Sequence, residues 1–214
     1  MVKDVSLYNG KMGLIIFFAH YFRYTGQQIF DTTCDELLDE LNKDIYTMSC
    51  VDGFGYGLSG IGWGIEYLIQ SGFTDDDSLK ICKEIDKKIM KIDPRRMTDF
   101  TLDSGMEGIL HYVLAHIKGV MVKHSVIPFD KIFLLDLYEK ISNILQDTDS
   151  SSSIRILCEK YLTFYENKTS LPDYEFKLSL FLDGNVLVED DLSKSTFGLK
   201  NGLAGFLLKK LIAI

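Results

Sequence analysis

The chain has 214 residues, of which 46% are hydrophobic, so it is long enough and apolar enough to bury a core. Its 31 acidic and 23 basic residues give a net charge of -8, which opposes binding to nucleic acid and to anionic membrane surfaces. We recognise neither a membrane-spanning run nor a signal peptide, and therefore expect a cytoplasmic protein with no nucleic-acid partner and no membrane partner.

Four segments share one pattern, in which two glycines separated by two residues precede an apolar helical run. They are "GKMGLIIFFAHYF" from Gly10, "GLSGIGWGIEYLI" from Gly57, "GMEGILHYVLAHI" from Gly105 and "GLAGFLLKKLIAI" from Gly202. The intervals between them are 47, 48 and 97 residues, and the last is about twice the others. The spacing predicts a repeated unit with a further helix near residue 153, where "SSIRILCEKYLTFY" has a helical pattern.

The glycine-led helices are apolar almost all round, which predicts burial on several sides. A glycine inside a helix costs about 1 kcal/mol relative to alanine. We therefore expect the first glycine of each pair at a helix start, and the second where neighbouring helices pack closely. Two further glycines, Gly62 and Gly64, leave the face beside Trp63 narrow enough for close packing or for a ligand.

The segments between these helices are charged and amphipathic: "DTTCDELLDELNKDI", "DDDSLKICKEIDKKIMKI" and "PFDKIFLLDLYEKISNIL". In the second, Cys82, Ile85, Ile89 and Ile92 form one apolar stripe, as on an outer helix. Alternating apolar and charged helices predict an all-α fold, an α/α toroid or partial toroid of about four to five helical hairpins, in a single domain over residues 1–214. An incomplete ring leaves apolar helices uncovered at its ends, which predicts a homo-oligomer or a partner protein.

The segment "YEFKLSLFLDGNVLVED", from Tyr174 to Asp190, departs from this pattern. Its alternation and the Asp-Gly-Asn sequence predict a small β-hairpin near residues 174–189. The alternative is a degenerate outer helix that ends at Gly184. The sequence favours neither.

The combination of "SLYNGKMGLIIFF", "GYGLSGIGWGIEYLI", "DSGMEGILHYVLAHI" and "GLKNGLAGFLLKKL" resembles the lanthionine synthetase C-like proteins. The resemblance implies an α/α toroid whose inner helices begin with G-x-x-G units. It also implies a role in the modification of a ribosomally synthesised peptide. Enzymes of that family are longer, so the chain resembles a shortened member.

Active cyclases of that family bind zinc through two cysteines and a histidine, and the Cys-His pair immediately precedes a glycine of the G-x-x-G type. Here the corresponding pairs are Tyr8-Asn9, Gly55-Tyr56, Asp103-Ser104 and Lys200-Asn201. None is Cys-His, so we predict no zinc of the family type, no other metal and no cofactor. The cysteines lie elsewhere and form no C-x-x-C pair, which indicates reduced thiols: Cys34, Cys50, Cys82 and Cys158.

In a toroid of this kind the N-termini of the inner helices face one mouth, where helix dipoles and backbone N–H groups favour anionic or polar ligands. The residues expected near this mouth are Tyr8, Asn9, Asp52, Tyr56, Asp99, Asp103, Ser104, Glu107, Lys200 and Asn201. Among the residues at the mouth and the aromatic residues next to it, those for which we predict ligand-binding roles are Tyr8, Asn9, Tyr56, Trp63, Asp99, Lys200 and Asn201. For Trp63 the role is stacking on a sugar or peptide, and the alternative is a core residue.

Three residues are candidates for catalysis. Paired carboxylates, Asp99 with Asp103 or Asp103 with Glu107, suit general acid and base chemistry. The alternative is that Asp99 and Asp103 cap the helix that begins at Gly105. His111 is the third candidate catalytic residue, beside Asp103 and Glu107, and its alternative is a hydrogen-bonded core histidine.

Three functions follow from these interpretations. The first is a member of the lanthionine synthetase C-like family that recognises or helps modify a ribosomally synthesised peptide, without zinc-dependent cyclase activity. The second is a carbohydrate-processing α/α-toroid enzyme that uses the mouth carboxylates. The third is a helical scaffold that binds another protein. The sequence leaves open whether the protein is an enzyme.

Overall fold

The computed structural model describes residues 3–48, 53–146, 151–182 and 197–213. Within these ranges the regular structure is helical, without a β-strand, which confirms the predicted all-α fold class. The α-helices are α1 (Lys11–Thr25), α2 (Gln28–Thr47), α3 (Leu58–Gln70), α4 (Ser78–Ile81), α5 (Lys83–Ile89), α6 (Met106–His124), α7 (Lys131–Gln146), α8 (Ser152–Glu166) and α9 (Leu203–Ile212). Short 3₁₀ helices lie at Pro94–Arg96 and Leu178–Leu180. None of the described helices combines the length and the apolar character needed to cross a bilayer.

The chain divides into two compact units. The first comprises Met1–Ser49 and Lys177–Ile214, and in it α1 packs against both α2 and α9. The second comprises Cys50–Phe176, and in it α3 packs on α6 and α5, while α8 packs on α6 and α7. The prediction of a single domain over residues 1–214 stays a prediction.

The charged segments form helices, as their periodicity predicts. The segment around Cys82 forms two short helices, α4 and α5. Cys82 is the C-cap residue of α4 and the N-cap residue of α5. Cys82, Ile85 and Ile89 are fully buried, as the predicted stripe requires. Ile92 lies beyond the end of α5 and is half-buried. The helix expected near residue 153 is α8.

The leading glycines are the N-cap residues of α1, α3, α6 and α9, as predicted: Gly10, Gly57, Gly105 and Gly202. At Gly13, Gly108 and Gly205, the atom nearest to an added Cβ belongs to the turn that precedes the same helix. A Cβ on Gly108 would lie 2.5 Å from the Leu102 carbonyl oxygen, in the turn that precedes the same helix. Equivalent overlaps would occur at Gly13 and Gly205. These glycines therefore let each helix fold back against its own entering turn.

Alanine at Gly108 tests this interpretation. The added Cβ would also lie 2.6 Å from Phe54 Cβ, so both a backbone oxygen and a core side chain must move. Helix propensity alone would make alanine stabilising by about 1 kcal/mol. We expect instead a loss of about 1–3 kcal/mol in the free energy of unfolding, because the site is overpacked. Urea denaturation followed by circular dichroism measures it, and a stabilised variant would contradict the packing described.

The predicted β-hairpin near residues 174–189 is described only in part. Residues 174–182 contain no strand, and the only regular structure among them is the 3₁₀ helix Leu178–Leu180. Lys118 Nζ donates to the backbone oxygen of Tyr174, so a side chain holds the backbone here rather than a neighbouring strand. The Asp-Gly-Asn sequence and Gly184 lie outside the described residues.

Candidate functional site

In the first unit, predicted ligand-binding residues connect the turns that precede α1 and α9. The buried Tyr8 accepts two backbone hydrogen bonds at its carbonyl oxygen, from Leu199 N at 2.6 Å and Lys200 N at 3.1 Å. Lys200 Nζ lies 4.3 Å from the centre of the Tyr8 ring, at cation–π distance. Asn9 and Asn201 are exposed, and Asn201 has a left-handed backbone with φ of 55°. Tyr8, Asn9, Lys200 and Asn201 are thus together in one turn pair.

In the second unit, Asp99 organises the turn before α6. One of its carboxylate oxygens accepts from Thr101 N at 2.8 Å and Thr101 Oγ1 at 2.7 Å, and the other accepts from Ser104 Oγ at 2.6 Å. These hydrogen bonds hold the pKa of Asp99 below its ordinary value. The carboxylate is engaged within the turn, but α6 has no side-chain cap hydrogen bond, so the Asp99 carboxylate does not cap the helix as the alternative describes. A ligand-binding role for Asp99 stays a prediction.

The turn before α1 has hydrogen bonds in common with the turn before α6. The sequence pattern that the two turns share was not recognised from the sequence. Asp4 accepts from Ser6 N at 2.8 Å, as Asp99 does from Thr101 N. The two turns read "DVSLYNG" and "DFTLDSG", so the repeated unit includes six residues ahead of its first glycine. The carbonyl of each aspartate accepts the first helical N–H, at 2.9 Å in α1 and 3.0 Å in α6. The first N–H of α1 and that of α6, which the sequence analysis expected to face a ligand, are therefore bonded within the protein.

His111 lies at the end of a buried hydrogen-bonded chain. Trp63 Nε1 donates to Tyr174 Oη at 2.6 Å, which leaves the tyrosine proton to donate to His111 Nδ1 at 2.7 Å. This arrangement places the imidazole proton on Nε2. Burial lowers the pKa of His111 to about 4. The ring is therefore neutral at neutral pH, and suits the donation of a hydrogen bond at Nε2 better than general base catalysis.

The other candidates of this unit differ in exposure. Glu107 is buried and lies one helical turn before His111, on the same face of α6. Burial raises the pKa of Glu107, and a hydrogen bond with Ser153 opposes that effect. Asp103 is half-buried, and its backbone oxygen accepts from Gly55 N at 3.2 Å.

Tyr56 is 55% exposed, whereas Trp63 is fully buried and its ring packs against Phe54 and Tyr67. Asp52 lies outside the described residues.

A second polar group, which the sequence analysis did not assemble, lies in the core of the same unit. His116 contacts two carboxylates: Nδ1 lies 2.5 Å from Glu66 Oε1, and Nε2 lies 3.0 Å from Asp86 Oδ2. Tyr112 Oη donates to Asp86 Oδ1 at 2.5 Å, and Gln70 Nε2 donates to Glu66 Oε2 at 2.6 Å. Burial lowers the pKa of His116, but its hydrogen bonds with Asp86 and Glu66 outweigh burial and raise the pKa to about 9.

This network could be anticipated from the sequence only through the polar residues that lie inside apolar helices. Glu66 is fully buried in α3, where a carboxylate needs a partner. His116 is buried in α6, and a ring nitrogen in an apolar helix equally needs a partner. The ring of Tyr112 covers Gly62, so the narrow face beside Trp63 accommodates this side chain.

The comparisons with known proteins show the family. A family model described as lanthionine synthetase C-like protein matches residues 1–127, which include the G-x-x-G motifs at Gly10, Gly57 and Gly105. No curated protein and no solved structure matches the chain. The model covers more than half of the 214 residues, and the helices that begin at these glycines are consistent with the α/α-toroid type of fold. The chain belongs to the lanthionine synthetase C-like protein family.

Proposed function

We propose that the protein recognises or helps modify a ribosomally synthesised peptide, and that it does so without zinc-dependent cyclisation. The observation behind the proposal is that the chain belongs to this family but has no Cys-His pair ahead of any of its four leading glycines. Zinc activates a substrate thiol when protein ligands fix the ion beside an open coordination position. The four pairs contain no cysteine and no histidine: Tyr8-Asn9, Gly55-Tyr56, Asp103-Ser104 and Lys200-Asn201.

The environment of the described cysteines supports the same proposal. Cys34, Cys82 and Cys158 are buried free thiols. Burial raises the pKa of Cys34 and of Cys158 to about 12. None of these three thiols is exposed, so none of them would hold a zinc ion in a position that is also open to a peptide thiol.

Side chains are the recognition elements that we propose, since the first N–H groups of α1 and α6 are bonded to the preceding turns. Tyr56 carries an exposed aromatic ring directly ahead of α3. Such a ring offers apolar area and a hydroxyl at low entropic cost. We place the peptide against Tyr56, beside the N-terminal ends of α3 and α6.

A synthetic peptide with one dehydroalanine and one cysteine tests the proposal. We expect it to bind in fluorescence polarisation, and to keep its free thiol at the uncatalysed rate with or without added Zn²⁺. Tyr56→Ala should weaken binding about tenfold, as expected for an aromatic contact residue. Tyr24→Ala, which removes another exposed tyrosine from the end of α1, should leave binding unchanged.

Each part of the proposal has an outcome that would overturn it. Absence of binding, or equal losses in Tyr56→Ala and Tyr24→Ala, would contradict the peptide-recognition role. Zinc-dependent loss of the peptide thiol, with formation of a thioether, would contradict the absence of cyclase activity.

A further inference from the structure

Three side chains that commonly ligate metals converge in the core of the second unit. A carboxylate oxygen of Glu66, Sγ of Cys82 and a ring nitrogen of His116 lie within 4.8 Å of one another, and all three residues are fully buried. They come from α3, from the junction of α4 and α5, and from α6. One nitrogen, one sulfur and one oxygen ligand form a set that suits Zn²⁺. We propose that these residues, called here the core cluster, bind one zinc ion.

The residues around the core cluster already orient it. The Nε2–H of His116 donates to Asp86 Oδ2 at 3.0 Å, and this leaves Nδ1 as the ligand atom, facing Glu66. Tyr112 Oη holds Asp86 by its other oxygen at 2.5 Å, and Gln70 Nε2 holds Glu66 by Oε2 at 2.6 Å. Histidine ligands almost always donate their second ring N–H to a carboxylate or carbonyl, which fixes the tautomer. The core cluster therefore has the outer hydrogen bonds of a metal site.

Charge balance allows a divalent ion at this place. In the metal-free protein the 2.5 Å contact of His116 Nδ1 with Glu66 Oε1 requires one proton, and the buried Cys82 thiol carries another. Zinc binding breaks the N–H and S–H bonds, forms bonds to nitrogen, sulfur and carboxylate oxygen, and releases both protons to solvent. Two positive charges enter and two leave. The ion therefore adds no uncompensated charge to the core, where such a charge would be costly.

A surface groove of the second unit has one residue of this network in its lining. It has a volume of about 610 Å³, and its lining includes Leu79, Lys83 and Asp86. Asp86 is also the hydrogen-bond partner of His116, so one lining side chain of the groove contacts a ligand of the core cluster. Three protein ligands leave one position of a tetrahedral zinc ion, and because the ligands are fully buried, a peptide thiol would not reach that position. We therefore assign it a structural role, independent of the peptide recognition proposed above.

Metal content and cobalt spectroscopy test the site on the full chain, prepared without a histidine tag. After removal of metal by a chelator and addition of ZnCl₂, we expect one zinc per chain by mass spectrometry and a raised melting temperature. CoCl₂ should give the near-ultraviolet charge-transfer band of a thiolate ligand. Cys82→Ser should abolish that band. Cys158→Ser, which alters another fully buried cysteine, should keep it.

Two results would overturn the site: a wild-type chain that takes up neither metal, and a thiolate band that persists in Cys82→Ser. If Cys82→Ser does not fold, proton release from the wild-type chain tests the site instead. In weak buffer, the wild-type chain should release two protons per zinc ion bound. Zinc binding without proton release would contradict the proposed site. Peptide binding measured in EDTA should be unchanged. Failure of the metal site is thereby distinguished from failure of the proposed function.

Discussion

Replacing His116 with leucine is expected to destabilise the metal-free protein by about 3–5 kcal/mol, the cost of breaking a buried ion pair by removing one partner. His116 lies between Glu66 Oε1 at 2.5 Å and Asp86 Oδ2 at 3.0 Å. Without the imidazolium, two buried carboxylates lose their shared positive partner. Each then keeps one hydrogen bond, from Gln70 to Glu66 and from Tyr112 to Asp86, which does not compensate a buried charge.

Urea denaturation in EDTA measures this loss, and His124→Leu is the matched control. His124 lies on the same helix and pairs with Asp77 Oδ1 at 2.7 Å, but its side chain is 29% exposed. A surface pair of this kind contributes at most about 1 kcal/mol. We expect the His116 variant to lose several times more stability than the His124 variant. Equal losses would show that the buried network contributes no more than a surface pair.

The buried His111 should make the protein less stable in mild acid. Its pKa is lowered by burial from 6.5 to about 4 in the folded protein. Above pH 6.5 the imidazole is neutral in both states and contributes nothing to pH dependence. Between pH 6.5 and pH 4 the unfolded chain binds a proton that the folded chain does not, so stability falls as the pH falls. The full loss at this one residue is about 3 kcal/mol.

Unfolding free energies of wild type and His111→Gln across this range check the prediction. We expect the two proteins to change in parallel above pH 6.5, and the loss at lower pH to be smaller in His111→Gln. The imidazole resonance of His111 in the folded protein should titrate near pH 4 by NMR. A titration midpoint at or above 6.5 would contradict the neutral imidazole that Tyr174 and Trp63 hold in place.

Features encoded within a few residues could be predicted from the sequence. Periodicity predicted α2, α7 and α8, and Gly10, Gly57, Gly105 and Gly202 begin helices as expected. The reason is that helix periodicity and capping depend on residues within one or two turns. The family, which a model of residues 1–127 confirms, was recognised through the same local motifs.

Features that depend on residues far apart in the chain were decided by the tertiary structure. Glu66 and His116 are separated by 50 positions, and Asp86 and His116 by 30, so no motif brings them together. Likewise, the tautomer of His111 depends on Tyr174, 63 positions away in a segment where a hairpin was expected. Local sequence patterns were enough to predict the helices, their glycine starts and the family. The packing of α3, α5 and α6 decided which buried carboxylates share a histidine, because a charge in the core is stable only where a distant partner reaches it.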